Sequence, residues 1–461
     1  MGNQRTFTKM RSFLVIWSGQ LVSTIGSGLT SFALGVWIYQ ETHSTTLFAI
    51  SLLAYALPNL LVSPFAGALV DRWDRRKVMI LSDSGAGLCT LVIAVLLVTD
   101  HLELWSIFLL IAASAAFSTF QWPAYSAATS LLVPKEQLGR AGGMVQIGEA
   151  ISQLIAPAMA GALVVTIGLQ GVLIVDFATF MFAVLTLLLV VIPRPPASQA
   201  APGKKSTLLQ EAAFGWKYIT ARAGLFGLLM VFAVSNLVSS FLSPLIAPLI
   251  LDMTTPDVLG YISSIVGVGM LVGTLVMSAW GGPKRRINGV LGFLIIGGVF
   301  VILLGFTPYL VVMAAAGFGA MFVHPIVNGS SQAIWQSKVA FDIQGRVFAI
   351  RRMIAWSMMP IAYILAGPLA DRVYKPLLVE GGPLADTVVG QVVGVGPSRG
   401  IGLFFIVIGL LSILVPMIGY LNSHVRNLED ELPDAAAQVV VDPGMEVEGV
   451  TVMDATPEVA D

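Results

Sequence analysis

Long apolar runs separated by short polar stretches make up most of the chain. A helix that crosses a bilayer needs about 20 consecutive, mostly apolar residues, and most of these runs reach that length. They predict twelve membrane-spanning helices, at residues 12–40, 47–70, 78–99, 104–125, 141–167, 172–192, 225–250, 259–280, 290–306, 310–332, 347–369 and 401–421. The pattern therefore predicts an all-α polytopic membrane protein.

The polar stretches divide the twelve predicted spans into two sets of six. Residues 193–222 contain the Pro, Ser, Gly and Lys residues that are typical of a linker. Within it, residues 208–219 have the amphipathic pattern of a helix that lies on a membrane surface. We expect six-helix bundles over residues 1–192 and 223–425, joined by this linker, and an acidic, disordered cytoplasmic tail over residues 426–461.

Basic residues are sorted between the two sides that this topology creates. Of the 25 Lys and Arg residues, 22 fall in the termini, in the linker, and in the loops and helix ends on the same side. The opposite side holds only Arg372, Lys375 and Arg399. Since cytoplasmic loops carry the excess of Lys and Arg, we expect both termini and the linker to be cytoplasmic in a plasma (inner) membrane.

The composition agrees with a membrane protein and excludes several classes of function. Of the 461 residues, 11% are charged and 56% hydrophobic, whereas a soluble domain has about 25% charged residues. A net charge of −1 argues against a nucleic-acid partner. The single cysteine, Cys89, excludes an internal disulfide and a multi-thiolate metal site, and four His with one Cys offer no constellation for a membrane enzyme. The nucleotide-binding pattern Gly-x-x-x-x-Gly-Lys-[Ser/Thr] does not occur, so we expect no nucleotide, cofactor or metal.

The two sets of six spans repeat each other. Residues 123–161 contain a span, a polar loop that ends in Gly-Arg, and a span with a Pro followed by a Gly; residues 325–367 repeat that order. A basic turn also closes the second span of each set, at residues 71–77 and 284–286. Parallel six-plus-six duplication is found in carriers that bind their substrate between the halves, near the middle of the membrane. The repeat therefore predicts a secondary carrier.

Residues 67–77, which read Gly-Ala-Leu-Val-Asp-Arg-Trp-Asp-Arg-Arg-Lys, resemble the signature that the major facilitator superfamily carries between its second and third spans. One position departs from that signature, because Asp74 stands where Gly is usual. Pro157 and Gly161 in the fifth span resemble the superfamily's shortened antiporter motif. The resemblance covers residues 10–425 and implies two pseudo-symmetric six-helix bundles.

Two further segments, residues 133–140 and 176–180, resemble the branch that contains macrolide-efflux and enterobactin-exporter-like proteins. This resemblance implies a monomeric multidrug-type antiporter that exports an amphipathic or apolar small molecule, such as a drug, macrolide or siderophore, with the proton as coupling ion. Residues 104–134 hold no charge, so the Arg that many drug-proton antiporters carry in the fourth span is absent. An importer and a transport-inactive receptor or scaffold of the same fold are the alternatives.

The resemblance also implies a gating role for five residues of the motif: Gly67, Asp71, Arg72, Arg75 and Lys77. Asp71 would face the cytoplasmic start of the eleventh span, where the partial positive charge of a helix N-terminus stabilises an acid by about 0.3–1 kcal/mol. Such a latch would hold the inner gate shut while the carrier faces outward. The alternative, in which the basic residues only fix the topology, is favoured for Arg76 and Lys77.

Glu149 lies about eight residues into the fifth span, which is roughly 12 Å at 1.5 Å per residue. A charge at that depth costs several kcal/mol unless it is protonated, paired or hydrated. Gln146 and Gln153 share its helix face, and we expect this face to line the central cavity. Glu149 is thus either a protonatable or cation-binding site or the partner in a structural hydrogen bond between helices.

Three further residues inside the spans are candidates for a proton or cation site: Asp83, Asp176 and His324. For the two acids, local pairing near the membrane surfaces is the favoured alternative, with Asp83 bonding the basic loop. For His324, the favoured alternative is packing between helices. Besides the two glutamines near Glu149, other polar and aromatic residues at mid-membrane depth are expected to line the substrate cavity: Gln20, Gln121, Tyr125, Asn236, Asn328 and Trp356.

Overall fold

The apolar runs fold into helices that pack side by side. The structure is a computed structural model that describes residues 2–134, 137–192, 208–306, 308–340 and 343–435. In chain order the helices are α1 (Gly2–Thr42), α2 (Thr45–Arg72), α3 (Arg75–Val98), α4 (Leu104–Leu132), α5 (Leu138–Leu189), α6 (Leu208–Thr220), α7 (Ala223–Ser240), α8 (Leu242–Leu251), α9 (Pro256–Trp280), α10 (Arg286–Phe306), α11 (Leu310–Lys338), α12 (Gln344–Leu369), α13 (Lys375–Leu377), α14 (Val388–Val393), α15 (Pro397–Leu421), α16 (Ser423–Arg426) and α17 (Leu428–Glu431), with a π-helical turn at Ala370–Tyr374. Every regular element within those ranges is helical, which confirms the all-α fold class.

Eleven of the described helical segments are long and apolar enough to cross a membrane. The longest, α5, has 52 residues, about 78 Å of helix at 1.5 Å per residue, against a hydrocarbon core of about 30 Å. It contains both the fifth and the sixth predicted spans, and Gly168 between them has φ 67° and ψ 179°, outside the helical region. The membrane-spanning character is confirmed, whereas the count of twelve stays a prediction.

The turn between α2 and α3 explains why an acid can replace the usual glycine of the motif. Asp74 has φ −68° and ψ 112°, a conformation open to any residue. Its side chain accepts hydrogen bonds from the backbone N–H groups of Arg76 and Lys77, at 3.1 and 3.3 Å. Asp74 is therefore the N-cap of α3, a position where Asp stabilises a helix by about 1 kcal/mol relative to Ala.

Successive long helices alternate in direction, so their connections fall at two ends of the bundle. We call one of them the basic end, since residues 71–77 lie there; it holds the connections after α2, α4, α9 and α11. The opposite end holds the connections after α1, α3, α8 and α10, and the segment 370–396 that follows α12. We call α1 to α5 the first half and α7 to α15 the second half.

The hydrophobic cores join the two halves at one end only. At the basic end each half has its own core, around Met79 in the first half and Trp335 in the second. Toward the opposite end, a single core contains Tyr39 and Phe48 of the first half together with Phe405 of the second. The structure is therefore closed by apolar packing at the end opposite the basic one.

α5 of the first half crosses α9 of the second half with almost no side chain between them. A Cβ added to Gly161 would lie 2.5 Å from the carbonyl oxygen of Pro256, and a Cβ added to Gly260 would lie 2.4 Å from the carbonyl oxygen of Pro157. Small residues at a helix interface allow such close approach of two backbones. We call these four residues the glycine interlock; the Pro157 and Gly161 singled out in the sequence form one side of it.

The amphipathic stretch predicted at residues 208–219 is a helix, α6, which packs on the start of α12. A Cβ added to Gly215 would lie 2.9 Å from the carbonyl oxygen of Arg346. Phe214 and Trp216 are both 43% exposed, which suits aromatic rings at a membrane surface. Residues 193–207 of the expected linker and 436–461 of the expected tail lie outside the described residues.

The start of the expected tail is docked on the basic end of the second half. The buried ammonium group of Lys338 donates to the carbonyl oxygen of Glu429 at 2.9 Å and pairs with the Asp434 carboxylate at 2.9 Å. The Glu429 carboxylate accepts a hydrogen bond from the backbone N–H of Ile287 at 2.9 Å, next to the start of α10. Residues 426–435, which we expect from the sequence to be disordered, are therefore held by specific contacts.

Candidate functional site

A cavity of about 640 Å³ lies between the two halves, beside the glycine interlock. Its walls come from α1 to α5 and from α8 and α9. Most of its polar wall consists of hydroxyl groups, such as those of Ser114, Ser118 and Ser243, and Asp176 is the only charged residue among its described lining residues. Cavities for drug-sized ligands have volumes of roughly 300–1,000 Å³ and mainly apolar walls, so this cavity suits an organic molecule of that size.

Asp176 is buried among threonines and is only 1% exposed. One carboxylate oxygen accepts hydrogen bonds from the hydroxyls of Thr30 at 2.7 Å and Thr90 at 3.2 Å. The other lies 3.4 Å from the hydroxyl of Thr179, which donates to it. The acid thereby ties α1 and α3 to α5. Its burial contradicts the expectation, drawn from its position near the start of the sixth predicted span, that it pairs locally at the membrane surface.

A second cavity of about 290 Å³ adjoins the first on the side of the basic end. Two carboxyl groups, those of Asp83 and Glu149, face it, and no Lys or Arg lies among its described lining residues. Its walls also carry the rings of Trp17, Trp122 and Tyr125. The two cavities share five lining residues: Thr24, Ser27, Tyr55, Ser118 and Phe180.

Asp83 forms a buried polar cluster with two glutamines from other helices. It is 5% exposed, and one carboxylate oxygen accepts hydrogen bonds from the amides of Gln20 at 2.9 Å and Gln121 at 3.1 Å. The Gln121 amide also donates to the Gln20 carbonyl oxygen at 2.7 Å. The expectation that Asp83 bonds the basic loop is wrong, because its partners lie on α1 and α4 inside the bundle.

Glu149 and its neighbours on α5 are split between the cavities. Glu149 is half-buried and lines the smaller cavity, Gln153 lines the larger one, and Gln146 is exposed outside both. The hydroxyl of Tyr125, which lines the smaller cavity with Glu149, is buried and has no hydrogen-bond partner in the described part of the chain. Glu149 thus faces an acidic space that offers it no basic side chain.

The remaining candidates in the second half lie outside both cavities. His324 and Asn328 are exposed, and the Asn328 amide lies 3.1 Å from the ring nitrogens of His324. Trp356 is 61% exposed, and Asn236 is half-buried. The structure therefore brings together the candidates on α1, α3, α4 and α5 with the exception of Gln146, and leaves these four apart from them.

Arg351 on α12 is one of the 22 basic residues on the expected cytoplasmic side, and it has further contacts inside the second half. Its guanidinium donates to the side-chain oxygens of Gln332 at 3.0 Å and Ser331 at 2.9 Å. The same group lies 5.4 Å from the ring centroid of Trp335, within the distance of a cation–π contact. Arg351 lies inside the predicted span at residues 347–369, where a charged side chain needs polar partners. This position is the signal in the sequence that could have identified it as a candidate functional residue.

The structure describes part of the gating motif. Gly67 has open space where a Cβ would lie, and Lys77 is exposed. Arg76 donates to the carbonyl oxygens of Leu187 at 2.8 Å and Leu188 at 2.7 Å, so it caps the end of α5. Two guanidinium nitrogens of Arg75 are buried without a partner among the described residues.

The side chains of Asp71 and Arg72, the other two residues of the motif, lie outside the described part of the structure.

Comparison with known proteins identifies relatives over most of the chain. The model of the Major Facilitator Superfamily matches residues 16–364. Macrolide efflux protein A of Streptococcus pyogenes is 28% identical over 367 residues, which cover 78% of this chain and 90% of that protein. The multidrug efflux pump Tap of Mycolicibacterium fortuitum is 26% identical over 385 residues, or 79% of this chain and 91% of that protein.

A solved structure shares the same architecture. A bacterial homolog of the human lysosomal transporter Spinster, in an inward-facing and unoccupied conformation, superposes with a TM-score of 0.69 and 14% identity. The match covers 93% of this chain and 99% of that one. At this identity the likeness shows the fold alone.

Proposed function

Because the chain belongs to the Major Facilitator Superfamily, we propose that this membrane transporter is a secondary exporter of amphipathic or apolar small molecules that works by alternating access. The observation that carries the proposal is a large, weakly polar cavity between the halves, joined to a small, acidic cavity inside the first half. Similarity to proteins named macrolide efflux protein A and multidrug efflux pump Tap favours export of drug-like or macrolide-like compounds over import.

The walls of the larger cavity suit substrates that vary in structure. A wall of apolar side chains and hydroxyls binds through dispersion and the release of water, neither of which demands one fixed arrangement of partners. A site built from many charged or bidentate contacts would select a single ligand. We therefore propose that shape and apolar area, together with one cationic group, define the transported class.

The acids of the smaller cavity support proton antiport as the coupling scheme. A carboxylate in the membrane interior is costly unless it carries a proton, a cation or water, and no basic side chain is among the described lining residues. Asp83 and Asp176 are already held by hydrogen bonds from amides and hydroxyls. Half-buried Glu149 is the acid best placed to exchange a proton for a substrate cation.

Transport into sealed vesicles tests the proposal. Purified protein in proteoliposomes should accumulate tetraphenylphosphonium and erythromycin in an acidic interior, above the level in protein-free vesicles, and should not do so without a pH gradient. Protein-free vesicles correct for passive trapping of the weak base. If no compound of a drug panel crosses the membrane in either direction, the chain is the transport-inactive receptor or scaffold. If compounds enter the vesicles only down their own concentration gradient, whether or not a pH difference is present, the protein is an uncoupled carrier.

The orientation and the domain boundaries are part of the proposal. We place both termini, the linker at 193–222 and the Asp71 latch in the cytoplasm, because the basic residues sort to that side. Single cysteines introduced at Ser198 and at Glu380, in a Cys89→Ala background, should react with a membrane-impermeant maleimide from opposite sides. In intact cells only the cysteine at 380 should label; labelling of both from outside is incompatible with this topology.

A further inference from the structure

The turn after α12 holds the start of α2 at the end opposite the basic one. The Asp371 carboxylate accepts hydrogen bonds from the backbone N–H groups of Thr45 at 3.1 Å and Thr46 at 2.8 Å. It also accepts from the hydroxyls of Thr46 at 2.7 Å and Ser44 at 3.0 Å. An acid of the second half therefore caps the first turn of a helix of the first half, where it offsets the helix's positive end.

A lysine one turn later extends the same contact across the halves. The Lys375 ammonium pairs with Asp371 at 3.0 Å and lies 3.4 Å from both the hydroxyl of Tyr39 and the carbonyl oxygen of His43. The Tyr39 hydroxyl donates to the Asp252 carboxylate of the second half at 2.6 Å. Burial raises the pKa of Asp252 above its ordinary value, and the nearby lysine and tyrosine offset that cost in part.

Gly367 brings the two backbones together just before these polar contacts. A Cβ added to Gly367 would lie 2.3 Å from the Cα of Thr46, so any other residue would force α12 away from α2. At the basic end of the same helix pair, a Cβ on Gly67 or on Gly345 would meet nothing within 4 Å. The helix pair is in backbone contact at one end and open at the other.

The sequence of this turn repeats the spacing of the gating motif. Residues 367–375 read Gly-Pro-Leu-Ala-Asp-Arg-Val-Tyr-Lys, and residues 67–75 read Gly-Ala-Leu-Val-Asp-Arg-Trp-Asp-Arg. Gly, Leu, Asp, Arg and a basic residue recur at the same five positions. One copy ends α2 at the basic end, and the other ends α12 at the opposite end.

We propose that Gly367, Asp371 and Lys375 form an outer clasp, which closes the transporter at the end opposite the basic one and must be released for the substrate to leave there. The clasp is the counterpart of the Asp71 latch that the family resemblance implies. The second half caps the start of α2 at one end, and in the other conformer Asp71 of the first half would cap the start of α12 at the basic end. Two rigid halves that rock about the cavity can close only one end at a time, so the two acids favour opposite conformers.

The test reads the conformer directly, so it does not depend on identifying a substrate. Spin labels on cysteines at Glu41 and Glu380 report the clasp end, and labels at Arg140 and Gln336 report the basic end; all four residues are exposed. Double electron–electron resonance is measured on full-length Cys89→Ala protein in nanodiscs. Asp371→Asn should lengthen the first distance and shorten the second, shifting the ratio of open to closed clasp by about tenfold or more, because hydrogen bonds to a charged group are lost.

Two further variants separate a clasp from a local structural contact. Gly367→Ala should shift both distances in the same direction as Asp371→Asn without changing any charge. Asp71→Asn should shift them in the opposite direction, and the double variant Asp71→Asn/Asp371→Asn should return toward the wild-type ratio.

Asp386→Asn, an exposed acid at the same end, and Gly345→Ala, which has free space, serve as matched controls that should change neither distance. Unchanged distances in both Asp371→Asn and Gly367→Ala overturn the clasp. Lengthening at the clasp end alone, with the basic end fixed, shows a local loop contact and overturns its role in alternating access. Failure of transport in the vesicle assay leaves these distances unaffected, so the clasp and the proposed export activity are tested separately.

Discussion

Glu149→Gln should abolish gradient-driven accumulation while leaving downhill movement of the substrate. A pH difference of one unit corresponds to 1.36 kcal/mol per proton, or about tenfold accumulation of a substrate exchanged for one proton. Wild-type vesicles should therefore concentrate tetraphenylphosphonium about tenfold, and the variant should only equilibrate it. Gln keeps the size of the side chain and much of its hydrogen bonding but cannot titrate, so the loss belongs to the proton and not to the shape of the cavity.

The matched control is Glu103→Gln, which makes the same chemical change at the N-cap of α4, outside both cavities. It should accumulate the cation as the wild type does. Accumulation by Glu149→Gln equal to that of Glu103→Gln would show a structural Glu149, and the coupling proton would then have to reside on Asp83 or Asp176, the other buried acids, or on His324.

Gly161→Ala and Gly260→Ala should each slow transport by about tenfold or more. The added methyl group would meet a backbone carbonyl of the other half, which cannot rotate away as a side chain can. Overpacking of this kind typically costs about 1–3 kcal/mol, enough to shift a conformational equilibrium by roughly 5- to 150-fold. The measurement is the initial rate of substrate uptake into proteoliposomes, normalised to folded protein by size-exclusion chromatography.

Gly142→Ala on the same helix α5 is the control, because a Cβ there meets nothing within 4 Å. It should transport at the wild-type rate. If all three alanine variants transport equally, the α5–α9 crossing is not a constraint on the conformational change, and the close approach is packing alone.

Periodicity and length are sufficient to predict most of the helices, because the bilayer imposes a minimum apolar run. The apolar runs predict spans at 47–70 and 310–332, whereas the helices are Thr45–Arg72 and Leu310–Lys338. The differences lie at polar helix ends that extend beyond the apolar run. The seventh span, expected at 225–250, is broken at Phe241 into α7 and α8. Pro244 lies three residues after this break. The apolar pattern alone does not predict the break, because the apolar run continues through it.

The candidate site was harder to predict, because a sequence does not specify the rotation of one helix against another. Gln20, Asp83 and Gln121 were each identifiable as polar residues at membrane depth, yet nothing in their sequence positions indicates that they meet. For the same reason, the sequence does not predict the hydrogen bond between the Thr46 backbone N–H and the Asp371 carboxylate. These residues are distant in sequence and meet only because α12 and α2 pack together. The spacing Gly-x-Leu-x-Asp-Arg occurs at residues 67–72 and again at 367–372, but this repeat does not indicate which helix Asp371 contacts.

The contacts of residues 426–435 with the basic end of the second half limit where the chain can be truncated or fused to another protein. A green fluorescent protein fused directly after Leu421 would replace the residues that pair with Lys338, leaving a buried ammonium group without its carbonyl and carboxylate partners. The same fusion would remove the acid that caps the start of α10. Fusion after Ala435 keeps all of these contacts, including the hydrogen bond from its backbone N–H to the carbonyl oxygen of Ser337 at 2.9 Å. The shortest form of the chain that retains all of these contacts thus ends at residue 435, fourteen positions beyond the last long helix.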